Sequence, residues 1–116
     1  MAWVDAPVAG AKVGREFEVN GWAFKDGVGL ARVEIMLDGR VVAQADYGAE
    51  RPGIREYWAL PDGKYSSDPQ HPKIGFSAKI ALDAEPPGRH WLGLRLHGRD
   101  GSVEDWAEQP IEVKRR

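Results

Sequence analysis

A chain of 116 residues with a net charge of −2 and no cysteine is long enough for one domain core and too short for two ordinary ones. Without cysteine there are no disulfides, thiolate metal sites or cysteine nucleophiles. The charges are interspersed, with no basic stripe of the kind a nucleic acid or an anionic membrane surface requires, and no apolar run approaches the roughly 18 residues of a membrane span. Met1 is followed at once by Ala2, Trp3, Val4 and Asp5. That start lacks the basic and apolar regions of a signal peptide, so the chain is expected to be a module cut from a longer protein.

The first strand is expected around Trp3-Val4 and Val8, interrupted by Pro7 and Gly10. Its brevity and its proline suit a sheet edge. Arg15 to Phe24, "REFEVNGWAF", alternates: Phe17, Val19, Gly21 and Ala23 share one face, and Glu16, Glu18, Asn20 and Trp22 the other. A period of two marks a half-buried strand. Leu30 to Asp38 repeats the pattern, with Val33, Ile35 and Leu37 on the apolar side.

The Asp38-Gly39 pair closes a hairpin, because Asp bonds its own backbone in turns and Gly takes positive φ freely. A two-residue turn would pair Leu37 with Arg40 and set Val42 and Gln44 beside Ile35 and Val33. A bulged turn would pair Met36 with Arg40 and align Val33 and Ile35 with Val41, Ala43, Ala45 and Tyr47. A buried face fixes register strongly, so the bulged turn is the expectation.

The rhythm then stops. The stretch "ERPGIREYWALPDGKYSSDPQHPKIG" reads as a long inter-strand loop, about 48–75. Strand alternation resumes at Phe76, Ala78, Ile80 and Leu82, and again at His90, Leu92, Leu94 and Leu96, with Trp91, Arg95 and His97 on the opposite face. Asp100-Gly101 marks another turn, and Ile111 and Val113 anchor a last strand within 103–113. About seven short strands and no convincing helical period describe an all-β, two-sheet sandwich. The whole chain, 1–116, is expected to form that one domain.

The segments "VDAPVAGAKVGREFEVNGWAF", "GLARVEIMLDGRVVAQADYGAERPGI", "GFSAKIALD" and "PGRHWLGLRLHGRDGS", taken in order, resemble a bacterial immunoglobulin-like domain. The resemblance covers nearly the whole chain. It implies an immunoglobulin-like sandwich serving as a spacer, interaction or accessory module of a larger bacterial protein, extracellular or in the cell envelope. It implies no catalysis and no cofactor. The partner it implies is another protein or a neighbouring domain of the parent chain. The loop departs from the pattern, since its length and aromatic content exceed what a bare spacer needs.

Motifs of enzyme chemistry are missing: no Gly-x-Ser-x-Gly elbow, no Walker loop, no His-Glu-x-x-His. His90 and His97 are seven apart and face opposite sheet surfaces on a regular strand, so they form no metal pair. His90, in phase with the leucines, reads as a core-edge histidine with a backbone partner. The loop carboxylates Glu50, Glu56, Asp62 and Asp68 read as solvent-facing, and no Asp-x-Asp-x-Asp-Gly calcium loop is present.

Among the five tryptophans, Trp22 reads as structural, turned inward by a bulge at Gly21 or covering a sheet face. Trp91 lies outward, under a loop, stacked on Arg95 or in an exposed patch. Trp106 is expected to close one end of the sandwich. Within the loop, Arg51, Arg55, Tyr57, Trp58 and Tyr65 form the candidate contact set. Three readings compete for them. Tyr57, Trp58 and Leu60 cap an open end from one helical turn, as an ordered long loop requires internal anchors. The set forms a protein interface, where Trp, Tyr and Arg concentrate. Or flat rings and planar polar groups bind a glycan, in which case the chain is a carbohydrate-binding module.

Overall fold

A computed structural model describes residues 2–25, 27–49, 74–82 and 85–115. These form nine strands: β1 (Ala2–Ala6), β2 (Lys12–Val13), β3 (Glu16–Ala23), β4 (Leu30–Leu37), β5 (Arg40–Gln44), β6 (Asp46–Ala49), β7 (Gly75–Ala81), β8 (Gly88–Gly98) and β9 (Val103–Val113). A four-stranded sheet runs β1-β3-β7-β6, and a five-stranded sheet runs β2-β9-β8-β4-β5. The two sheets form an immunoglobulin-like sandwich.

The core is the sum of the alternating faces. Val4, Val19, Phe76 and Ile80 come from the first sheet, and Val33, Ile35, Leu37, Leu92, Leu94, Leu96 and Ile111 from the second. Cross-strand register places Val33 against Leu96, Ile35 against Leu94 and Leu37 against Leu92. Each such pair presents branched side chains at the separation that stabilises a sheet. Truncating one of these leucines to alanine costs about 2–5 kcal/mol.

The structure has more than the expected seven strands for two local reasons. Residues 12–13 pair in parallel with Glu112 and Val113, which extends the edge of β9. The run expected as one strand from Arg40 to Tyr47 divides at Ala45, where the chain leaves one sheet for the other. Ala45 is buried, and its N–H donates to the Val33 carbonyl at 2.9 Å. Tyr47 then pairs with Phe76 in the four-stranded sheet, so it does not continue beside β4. Val8, expected near a strand, lies outside one and is exposed.

The β4–β5 hairpin turns differently from the expectation. Leu37 pairs with Arg40, and Asp38 and Gly39 both take positive φ, 51° and 83°, as in a two-residue type I′ turn. The extra residue sits further along: Val42 has no partner between the pairs Ile35–Ala43 and Met36–Val41. That bulge restores the apolar phase, so Ile35 still meets Ala43.

Gly21 is fixed by contact. A Cβ there would stand 2.0 Å from the Trp3 carbonyl oxygen and 3.1 Å from the Phe76 ring. Glycine lets β1 approach β3 at this point. β9 carries a second irregularity, where Ala107 and Glu108 together oppose Gly93 and Ala107 has φ 58°.

Candidate functional site

The loop set Arg51, Arg55, Tyr57, Trp58 and Tyr65 lies outside the described residues, as do the loop carboxylates Glu50, Glu56, Asp62 and Asp68. What the structure places is the root of that segment. It leaves β6 and returns to β7, and these neighbouring antiparallel strands pair up to Ala49–Gly75. Beneath the root, Trp22 and Phe24 stack with centroids 5.6 Å apart and planes at 13°. Both are buried, and with Ile74 they form an apolar cluster separate from the main core. The Ala23 N–H donates to the Ile74 carbonyl at 2.9 Å, and the Tyr47 hydroxyl donates to the Ala23 carbonyl at 2.7 Å. Trp22 therefore covers the outer face of its sheet. Its pairing with Trp3 and Gly75 runs on regularly from Gly21, so no bulge turns it inward.

Among the described residues, the other indoles, Trp3, Trp91 and Trp106, do not assemble into a platform. Trp3 is 60% exposed beside Trp22. Trp91 is 45% exposed on the outer face of the other sheet. Of its three readings the exposed one fits, and Arg95 makes an ion pair in which its Nε donates to Asp105 Oδ1 at 2.9 Å and Nη2 to Oδ2 at 3.3 Å. That bond and the Asp105 charge hold the guanidinium further into its charged form, and the same bond with the Arg95 charge holds the Asp105 carboxyl below its ordinary range. Trp106 stands on β9 opposite Leu94. Its Nε1 donates to Glu104 Oε2 at 3.0 Å, and Lys25 Nζ donates to the other carboxylate oxygen at 3.2 Å. These two bonds lower the Glu104 pKa, Trp106 foremost.

The opposite end of the sandwich carries the most connected polar group. His90 is 6% exposed, in phase with the leucines as expected. Its Nδ1 lies 2.5 Å from Asp38 Oδ2 and its Nε2 2.7 Å from the Pro86 carbonyl oxygen. The other Asp38 oxygen accepts the Trp91 N–H at 2.8 Å. Burial opposes charge on the ring, but the bonds to Asp38 and Pro86 and the charges of Asp38 and Glu85 outweigh it and raise the pKa. Burial likewise pushes the Asp38 pKa up, and the Trp91 N–H, His90 and Arg40 more than offset it, leaving it lowered. Arg40 pairs with Glu85. Arg15 Nη1 donates to the Leu82 carbonyl at 3.3 Å and also to the Glu85 carbonyl.

The backbone partner of His90 was legible from its phase with the leucines. Asp38 was not, because it stands 52 residues away and its Asp-Gly context reads as a plain turn. On the same strand His97 points to the outer face, with Nε2 on Glu34. No group of three His, Asp or Glu side chains able to hold a metal ion exists among the described residues.

Two stacked sheets of this order, with a short hairpin inside the larger one, define the immunoglobulin-like and fibronectin(III)-like class of fold. Among solved structures, the chain is similar to a fibronectin(III)-like module of CbhA from Clostridium thermocellum, at 19% identity and a TM-score of 0.61, over 98% of this chain and 96% of that one. CopC from Methylosinus trichosporium OB3b aligns at 16% identity and a TM-score of 0.46, over 98% and 94%. No family model matches the chain, and no curated protein does.

Proposed function

We propose that this chain is a non-catalytic accessory module of a larger bacterial protein, acting as a spacer or interaction unit. The observation that carries the reading is the end-to-end correspondence with a fibronectin(III)-like module. The strand layout supports it. β1 opens beside Ala23 at one end of the sandwich, and β9 closes beside Gly88 at the other. An in-line link between neighbouring domains needs that arrangement. His90 has both ring nitrogens engaged, which suits a structural group rather than an acid–base catalyst. Its partner is then another protein or an adjoining domain, in the extracellular or envelope setting that the sequence resemblance implies. Exchange of the module, within its parent protein, for an unrelated sandwich of equal length tests this. A spacer leaves the parent activity intact, an interaction unit loses partner capture, and loss of chemical turnover by the isolated parent overturns the reading.

A second reading is a carbohydrate-binding module using Arg51, Arg55, Tyr57, Trp58 and Tyr65. It is favoured by the root of their segment, which is held on paired strands over the Trp22–Phe24–Ile74 cluster. A glycan panel followed by tryptophan fluorescence and thermal shift tests it. Binding must vanish in Trp58→Ala while the fold persists. No response to any glycan removes this reading and leaves the first standing.

A further inference from the structure

We propose that His90 is a proton-operated latch that joins the Pro86 connection to the Asp38-Gly39 turn while its ring carries two protons, and lets the connection go when one is lost. The geometry sets the terms. A carboxylate oxygen faces Nδ1 and a carbonyl oxygen faces Nε2. Neither can donate, so both ring nitrogens must, and only the imidazolium has two N–H groups. A neutral ring keeps one. The charged acceptor makes the stronger bond, so the remaining proton stays on Nδ1 with Asp38. Nε2 then presents a lone pair to the Pro86 carbonyl, and that contact turns repulsive.

The surroundings determine where the release is felt. From the hairpin, Asp38 faces the ring, with the Arg40 charge acting on Asp38. From the connection, Glu85 does, itself paired with Arg40. Arg15, just before β3, grips the Leu82 and Glu85 carbonyls, and on β9 the cross-strand neighbour is the apolar Ile111. Arg15 and Arg40 still hold Leu82 and Glu85 after loss of the proton, so the release is expected to be read at Pro86 to Gly88. Asp38 also spans the sheet, bonding the buried ring with one oxygen and the backbone of exposed Trp91 with the other. The buried ring and the Trp91 backbone N–H thus share one carboxylate, which makes that amide a reporter of the ring's charge.

The direction follows from the raised folded value. The latch is complete below the ordinary histidine value of 6.5 and is lost as pH rises through the higher folded one. The test is an NMR titration of the intact ¹⁵N-labelled chain from about pH 5 to about pH 9, following the ring nitrogens and the backbone amides. The expected result is a His90 ring protonated on both nitrogens at the acid end, with a midpoint above 6.5. The amides of Glu85, Gly88 and Trp91 move with that same midpoint. Asp38→Asn keeps an acceptor but removes the charge, and lowers the proton affinity of the ring by about tenfold or more. A ring neutral at the acid end, a midpoint at or below 6.5, or Glu85 and Gly88 amides that do not share it overturns the proposal. So does an unchanged midpoint in Asp38→Asn. The wild-type titration decides the matter even if the variant fails to fold.

Discussion

The two ends of this sandwich solve the same problem with different chemistry. At one end the connection from Leu82 to Gly88 is short, and it is held by Arg15, Arg40 and His90 through carbonyls and a carboxylate. At the other, the chain leaves at Ala49 and returns at Ile74, and the returning strand is seated on Trp22 and Phe24. A short connection brings few apolar side chains to bury, so directional polar bonds must fix it. A long one needs an apolar foundation that tolerates whatever is carried above it. The first kind of attachment is sensitive to proton concentration, and the second to cavities.

The comparison is broken most strongly at the apolar end. Trp22→Ala removes the stacked partner of Phe24 and a buried ring, and is expected to cost about 3–5 kcal/mol, read from urea denaturation. A loss below about 1 kcal/mol would mean that the cluster is not the foundation of that end. At the polar end, Asp38→Ala removes the acceptor of both His90 and the Trp91 N–H and leaves a buried ring without its counter-charge. About 2 kcal/mol is expected, together with a smaller pH dependence.

That dependence has a sign on each side. His90 contributes in full below 6.5, and its contribution is lost as pH rises through its raised folded value. Asp38 contributes above 3.8, and its contribution is lost as pH falls through its lowered folded value. Thermal melts of the wild type across pH should therefore show this end most stable between those two ordinary values. Trp22→Ala should shift the whole profile down without changing its shape. The smallest effect expected is a gain. Ala107 occupies the left-handed region at φ 58°, which costs a residue with a Cβ roughly 1–2 kcal/mol. Ala107→Gly should recover about 0.5–1 kcal/mol after the added flexibility of the unfolded chain is counted, seen as a higher denaturation midpoint.

Alternation made the core legible before any coordinates, because a period of two leaves little choice about which face is buried. Val19, Val33, Ile35, Leu92 and Leu94 fall where that period puts them. The hairpin shows its limit. Asp38-Gly39 suits either turn, and burial requires only that one extra residue be absorbed somewhere. The chain absorbs it at Val42 instead of Gly39, a choice with no local signature. His90 declared its burial through its phase, but its charge partner depends on how β4 and β8 align. Trp106 read as closing an end, but it stands opposite Leu94 in the middle of β8, with its Nε1 on the Glu104 carboxylate two residues back. The contact set from Arg51 to Tyr65 stands on the sequence reading together with the root described beneath it.

The irregularity in β9 has a consequence for company rather than for shape. Among the described residues, 103–108 run along β8 on one side and pair with no strand on the other, while Gln109 bonds the Pro7 carbonyl. An open edge of that kind is a template for a second chain. With Ala107 turned into the left-handed region and an extra residue in the run, the spacing of its free N–H and C=O groups no longer matches a straight incoming strand. Two copies meeting along that stretch of β9 would thus find no continuous ladder there on which to zip together.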